Sequence, residues 1–346
     1  MGLLEFMQWT EDLKIQPVLA VYAGYSMAQE HVEPGPALEP YIQEALDEIE
    51  YVTGDANTKW GAERIKNGHA APFPLTYVEI GNEDFFDRSG SYDGRYAQYY
   101  KAIKAKYPQL QLIATAPVKL IKPDVLDEHY YMAAEQSFAD ANHYDKTDRN
   151  GPKIFVGEWA TREGQPTPNL QAALGDAAWM TGMERNSDIV VMASYAPLFV
   201  NVNPGGMQWE TDLIGYDALN SYGSPSYWAQ VMFGKYLGTE VVGTTLSGAG
   251  PHVFTSVTRD ESLRKLYVKV VNASSEAAPL SIALNGVASV KPEAILISMS
   301  GKTPNATNSL TNPSVVVPTE HKITVTGTKL QQSFAPYSIN ILELSY

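Results

Sequence analysis

Two glutamates, Glu83 and Glu158, offer the plainest chemistry in this sequence. Each closes an apolar run and follows a glycine, in Ile80-Gly81-Asn82-Glu83 and in Val156-Gly157-Glu158. Glycine lets the backbone turn and admits a neighbouring group closely. A carboxylate at the end of a buried strand points into the mouth of a barrel, and two such groups supply what glycoside hydrolysis requires. At the roughly 5 Å separation of retaining enzymes, the pair repels by about 3 kcal/mol at an effective dielectric of about 20. That amounts to roughly two pKa units. One group then keeps its proton near neutrality and serves as acid, while the other stays ionised and attacks. Either glutamate alone could equally cap the helix after its strand. The shared layout and the aromatic residues flanking both favour the catalytic reading.

Other polar groups sit at or near the ends of apolar runs: Asn82, His129-Tyr130-Tyr131, Trp159 and Tyr195. Asn82 could simply cap a turn, and His129 could be a core histidine with its hydrogen bonds satisfied. Tyr130 and Tyr131 alternate across a strand, so one of them faces the helices. His129 and His143 with Asp140 and Asp145 lack any recognisable metal-ligand spacing, so no metal is expected. No glycine-rich phosphate loop or Ser-His-Asp signature stands out, and no cofactor is expected.

The elements that position these groups follow from periodicity. Apolar runs at 15–24, 77–83, 111–117, 125–132, 154–160 and 189–197 read as buried strands. Helical spacing occurs over 2–13, 39–53, 92–107, 170–184 and 227–238. Residues 39–53 place Ile42, Ala45, Leu46, Ile49 and Val52 on one face, with Gly54 as a stop. The tyrosines at 92, 96, 99 and 107 form a core stripe. Six strands with helices between most of them imply an α/β fold with a parallel sheet, either a doubly wound sheet or a (β/α) barrel. Polar groups gathered at the strand ends favour the barrel. From about residue 239 the texture changes to Val/Thr/Ser-rich runs broken by Gly, Asn and Pro, which reads as an all-β sandwich. The expected domains are therefore a barrel over 1–238 and a sandwich over 239–346. Residues 301–314 read as a polar loop between strands.

Composition narrows the partners. With 346 residues, 44% of them apolar, the chain can bury a large core. Its formal charge of −14 argues against nucleic acid and anionic membrane surfaces and suits a neutral substrate such as a sugar. The 21 Tyr and 6 Trp offer stacking platforms, though cores use such rings as well. There is no cysteine, which removes disulfides, thiolate metal sites and a Cys nucleophile. No apolar run is long enough to span a membrane. The first residues lack a basic region and do not read as a signal peptide. Two Asn-X-Ser/Thr triplets, Asn272-Ala-Ser274 and Asn305-Ala-Thr307, would be glycosylated only in a eukaryotic secretory pathway.

Tyr77-Val-Glu-Ile-Gly-Asn-Glu-Asp-Phe-Phe86 resembles the acid/base motif of family-51 glycoside hydrolases, the α-L-arabinofuranosidases. Phe155-Val-Gly-Glu-Trp159 resembles their nucleophile motif, and Asp127-Glu-His-Tyr-Tyr131 their sixth-strand motif. Phe334-Ala-Pro-Tyr-Ser-Ile-Asn-Ile-Leu342 is similar to the end of their C-terminal sandwich. The matches run in order along almost the whole chain. Gly-Asn-Glu alone would point only to the wider clan of retaining barrels.

The resemblance implies a TIM-type (β/α)8 barrel whose third to eighth strands are present here. The first two strands, with three further sugar-contacting residues, would lie outside this chain. The edges left open would then invite self-association as a homo-oligomer. It also implies roles. Glu83 would protonate the leaving oxygen and then activate water, and Glu158 would form the covalent arabinosyl intermediate. Asn82 would bind the hydroxyl beside the anomeric carbon or orient the nucleophile. His129 and Tyr131 would hold the nucleophile and the sugar ring. Asn201 would contact the sugar, and Trp159 and Trp209 would line the entrance, although Asn201 and Trp209 also suit a structural loop. The expected activity is exo-acting and retaining, on arabinose-containing polysaccharides and oligosaccharides outside the cell. A retaining endo-glucanase or endo-xylanase of the same clan, and a sugar-binding protein without turnover, remain as alternatives.

Overall fold

The computed structural model describes residues 1–209 and 211–346. Six strands form one sheet in strict chain order: β1 (Val18–Val21), β2 (Tyr77–Ile80), β3 (Gln111–Ala114), β4 (Val125–Met132), β5 (Lys153–Thr161) and β6 (Val190–Tyr195). The first three pairings are parallel, with Val18 opposite Tyr77, Tyr77 opposite Gln111 and Ile113 opposite Val125. A doubly wound sheet reverses its strand order at a switch point, and this one does not, so the barrel reading holds. Two compact units divide the chain. One comprises Met1–Glu128 with Asn150–Phe155, the other His129–Arg149 with Val156–Tyr346.

The first unit contains α1 (Leu3–Leu13), α2 (Glu39–Thr53), α3 (Lys59–Lys66) and α4 (Tyr92–Lys106). Its core joins Ile42, Ala45, Ile49 and Val52 of α2 to Val78 and Ile80 of β2 and to the tyrosine stripe of α4. The stripe is polar where it needs to be. Tyr92 Oη donates to Ile80 O at 2.7 Å and accepts from Thr115 N–H at 2.8 Å, while Tyr99 Oη donates to Tyr22 O at 2.8 Å. Helix α3 is absent from the periodicity reading because it is polar and carries Gly61. Its start is set by Thr58, whose hydroxyl accepts from Gly61 N–H at 3.2 Å. Its Arg64 is fully buried and donates to Tyr51 O and Val52 O, carbonyls left open at the end of α2.

The second unit holds α5 (Ala134–Ala139), α6 (Leu170–Arg185) and α7 (Pro225–Lys235). It also holds a small sheet of β7 (Phe199–Asn201), β8 (Ile214–Tyr216) and β9 (Ser221–Gly223), strands too short to show alternation in sequence. The β-rich end comprises β10 (Glu240–Val241), β11 (Val253–Asp260), β12 (Lys265–Asn272), β13 (Ala278–Ala283), β14 (Glu293–Ser300), β15 (Thr319–Thr324), β16 (Lys329–Phe334) and β17 (Ser338–Ser345). Six of these form an antiparallel sheet in the order β10-β11-β12-β17-β14-β15, and β13 pairs with β16 in a second sheet. Strand β16 is the addition to the sequence reading. Lys329-Leu-Gln-Gln-Ser-Phe334 is mostly polar, and only Leu330 and Phe334 reach the core.

Helix α6 is tied to the β-rich end by a buried charge. Glu184 accepts from Lys269 Nζ and, at 2.5 Å, from Ser256 Oγ, and Lys269 is fully buried. The loop 301–314 packs on the opposite end of α6, where Leu170 N–H and Gln171 N–H donate to Ala306 O and Pro304 O. Asn272 is fully buried, its amide donating to Glu276 O, Phe334 O and Ala335 O, whereas Asn305 is exposed. No helix among the described residues is long and apolar enough to cross a membrane.

Candidate active site

Glu158 is the centre of a small hydrogen-bonded group in the second unit. Strand alternation places Glu158 on one face of β5 and Gly157, Trp159 and Thr161 on the other. Tyr131 Oη donates to Glu158 Oε2 at 2.5 Å, and His129 Nδ1 lies 3.6 Å from the same oxygen. His129 and Tyr131 share one face of β4, two residues apart. The His129 side chain is 4% exposed and that of Glu158 34%, so the imidazole is sealed in while the carboxylate keeps an open side. The Arg162 guanidinium stands 4.0 Å from the centroid of the Tyr131 ring. Cation and π-face attract, and the cation polarises the phenol toward donating its proton. Arg162 N–H also donates to Met132 O at 2.8 Å, fastening the chain after β5 to the end of β4.

Tyr130 takes the other face of β4. Its ring lies 5.1 Å from Trp179 of α6, and its hydroxyl meets His143 Nε2 at 3.1 Å. The His143 Nδ1 atom faces Asp140 Oδ2 at 3.0 Å. Both nitrogens of His143 are thus occupied, and Asp145 is held by Arg185 and Asn186. Each of these three side chains thus has a protein partner.

Trp159 requires a correction. It was expected at the entrance, but it is 3% exposed and packs edge-on against Tyr195 at 5.4 Å. Being next to Glu158 in sequence puts it on the opposite face of the strand. Asn201 ends β7, and its Oδ1 accepts from Asn203 N–H at 3.1 Å, closing a local turn. Trp209 is 62% exposed in the following loop.

In the first unit, Glu83 sits at a strained turn. Gly81 has φ +102°, a conformation open to glycine, and a Cβ there would fall 1.9 Å from Asp84 Oδ2. Glu83 itself has φ 51°, rare for a residue with a side chain. The strain is held by a buried ion pair. Asp84 accepts from Arg95 Nη2 and from Thr115 Oγ1, each at 2.8 Å, and from Asn82 N–H at 3.1 Å. Arg95 is fully buried and also donates to Asp87 Oδ2 at 2.7 Å and to Ala23 O. Asp84 and Arg95 are thus the foundation of the Gly-Asn-Glu turn, and sequence reasoning passed over both. A signal existed: Arg95 falls at helical spacing among Tyr92, Tyr96 and Tyr99, so the apolar face of α4 carries a charge.

Two further acids of the second unit were not singled out from sequence. Asp176 is fully buried, and burial pushes its carboxyl up to about 7. Asp212 is 2% exposed, and burial pushes it up to about 6 against the pull of Arg162.

Comparison with known proteins bears on this geometry. A family model described as an alpha-L-arabinofuranosidase 1 domain matches residues 1–149, and one described as an alpha-L-arabinofuranosidase C-terminal domain matches residues 140–338. The chain is 37% identical over 356 residues to Alpha-L-arabinofuranosidase 2 of Arabidopsis thaliana, covering 99% of this chain and 51% of that protein. It is 35% identical over 354 residues to Probable alpha-L-arabinofuranosidase A of Aspergillus flavus, covering 99% and 54%. The solved structure of an arabinose-bound family-51 α-L-arabinofuranosidase superposes with a TM-score of 0.93 at 36% identity, over 99% of this chain and 57% of that one. The chain therefore spans about half the length of the curated relatives it matches.

Proposed function

The chain belongs to the α-L-arabinofuranosidase family, and from that premise we propose that it carries the two catalytic carboxylates of a retaining, exo-acting α-L-arabinofuranosidase. Glu158 is the nucleophile. Its carboxylate attacks the anomeric carbon of a terminal arabinofuranosyl residue while Glu83 gives its proton to the departing glycosidic oxygen. The covalent arabinosyl ester on Glu158 is then opened by water, which Glu83 deprotonates as it enters. The substrates are neutral arabinose-bearing polysaccharides such as arabinoxylan and arabinan, in keeping with a chain of charge −14, and the setting is extracellular.

One observation carries the reading: the hydrogen bond of 2.5 Å from Tyr131 to Glu158, with His129 against the same oxygen. A carboxylate that accepts from a phenol and faces an imidazole is held in one rotamer, leaving its other oxygen to attack. Asn82 follows Gly81 at the foot of the Glu83 turn, the place from which an amide can meet the hydroxyl beside the anomeric carbon.

The test is covalent trapping. A mechanism-based arabinofuranosyl label should add one sugar mass to the peptide containing Glu158, and Glu158→Ala should abolish the addition. A label found elsewhere refutes the assignment of the nucleophile. Binding of arabino-oligosaccharides in a calorimeter without labelling or turnover would make this chain a sugar-binding protein instead.

A further inference from the structure

Glu158 is held by Tyr131, and Tyr131 is held in turn by a residue four positions beyond Glu158 in the chain. Thr161 ends β5, and its N–H donates to Asp176 Oδ1 of α6 at 2.8 Å. Arg162 comes next, and its N–H donates at 2.8 Å to the carbonyl of Met132, the last residue of β4. Glu163 continues the clasp, its Oε1 accepting at 2.8 Å from Ala134 N–H in the first turn of α5, a donor with no partner inside its own helix. Three successive residues thus tie the end of β5 to α6, to the end of β4 and to the start of α5. The backbone bond from position 162 asks for no particular side chain. Arginine there adds something further: its guanidinium stands 4.0 Å from the centroid of the Tyr131 ring. The hydroxyl of that ring is the one that donates to Glu158 Oε2 at 2.5 Å. Cation, ring, hydroxyl and carboxylate form one continuous series.

We propose that Arg162 is a positioning residue for the nucleophile, acting on Glu158 through the ring and the hydroxyl of Tyr131. The inference rests on the nucleophile role given to Glu158. Two effects work together. The cation is drawn to the negative face of the ring and pins its orientation, so the hydroxyl stays aimed at one carboxyl oxygen. The same charge favours the negative charge that the phenol oxygen gains as it gives up hydrogen, which strengthens the bond it donates. A guanidinium keeps its charge wherever carboxylates titrate, so its pull is constant across that range. Its flat, weakly hydrated cation also suits a ring face better than an ammonium does. Arg162 is exposed to solvent, so its effect is that of an open cation–π contact, about two- to fivefold in a rate. Exposure also means that replacing it leaves the core intact.

A double-mutant cycle separates this role from ordinary packing. Covalent labelling of Glu158 by the mechanism-based arabinofuranosyl label should slow by about two- to fivefold in Arg162→Met. Arg162→Lys, which keeps the charge, should lose less. In a Tyr131→Phe background the ring remains and the hydroxyl is gone, so Arg162→Met should then change nothing. An equal loss in both backgrounds overturns the proposal, because it would mean that the guanidinium only packs on the ring. Labelling of Arg162→Met at the wild-type rate overturns it as well. A second readout needs no turnover. Proton magnetic resonance of the intact chain should show a low-field signal from the hydrogen-bonded Tyr131 hydroxyl, identified by its loss in Tyr131→Phe. Arg162→Met should move that signal upfield and speed its exchange with water. A signal unchanged in Arg162→Met, or absent from the wild type, sinks the proposal even in a chain that never takes the label. A shifted signal with the label on another residue overturns the nucleophile assignment and leaves the hold of Arg162 on the Tyr131–Glu158 bond standing, so the two readings fail separately.

Discussion

Tyr131 and Glu158 meet through a single hydrogen bond of 2.5 Å, the phenol donating to the carboxylate oxygen that also faces His129. A hydrogen bond to a charged group contributes about 1.5–3 kcal/mol, which is roughly ten- to over a hundredfold in a rate it serves. Tyr131→Phe should therefore slow covalent labelling of Glu158 by about that factor. A labelling rate equal to that of the wild type would mean the phenol serves packing alone.

The two carboxylates are separable by their response to azide. In Glu158→Ala, azide should enter the vacated space and yield the arabinosyl azide of inverted anomeric configuration. In Glu83→Ala, substrates with good leaving groups should still form the ester, and azide should then give the retained anomer. Nuclear magnetic resonance of the products assigns each role, and exchanged configurations would reverse the assignment.

Arg95 underlies the Glu83 turn as a fully buried cation shared by Asp84 and Asp87. Arg95→Met strands two carboxylates and should cost about 3–5 kcal/mol in urea unfolding. Gly81→Ala should fail in a different way, since its Cβ would collide with Asp84 before any charge is disturbed. A Gly81→Ala chain of wild-type stability would contradict the turn described for Glu83.

A parallel test exists in the second unit. Burial pushes the Lys269 ammonium below its usual range even with Glu184 against it, so the pair is maintained at a desolvation cost. Lys269→Met should lose about 3–5 kcal/mol, and adding Glu184→Leu should restore most of it. Strict additivity of the two changes, measured in a denaturant cycle, would show that they do not interact.

Asp212 gives a pH prediction with a definite sign. Its folded value is raised to about 6 from an ordinary 3.8, so between these values the folded chain holds more proton than the unfolded one. Its contribution to stability is complete below about pH 4 and lost as pH climbs through 6. Asp212→Asn should remove that part of the decline. The difference in melting temperature between variant and wild type should shift in favour of the variant from about pH 4 to pH 7 and then level off.

Much of this organisation was legible in the residue order. The run 125–132 has the same limits as β4, and Gly54 follows α2 as a stop, because strong periodicity and a clear terminator agree there. Helix α3 and strand β16 were not visible, since the first rests on a Thr58 cap and a buried arginine, and the second on two core side chains in a polar segment. Trp159 shows a different failure. Its place beside Glu158 suggested a shared site, but the period of a strand assigns adjacent residues to opposite faces. Arg95, Asp176 and Asp212 were missed because a buried charge looks, one residue at a time, like a surface charge. Only their positions on apolar helical faces or in buried loops mark them.

The burial of Asn272 sets a race in any compartment that tags nascent chains. Once β12 has paired with β17, an oligosaccharyl transferase finds Asn305 addressable and Asn272 shut away. A glycan arriving at Asn272 earlier would deprive three carbonyls of their common donor and bar the strand from its place. For such a host, the speed of sandwich closure decides whether the first triplet is silent or ruinous.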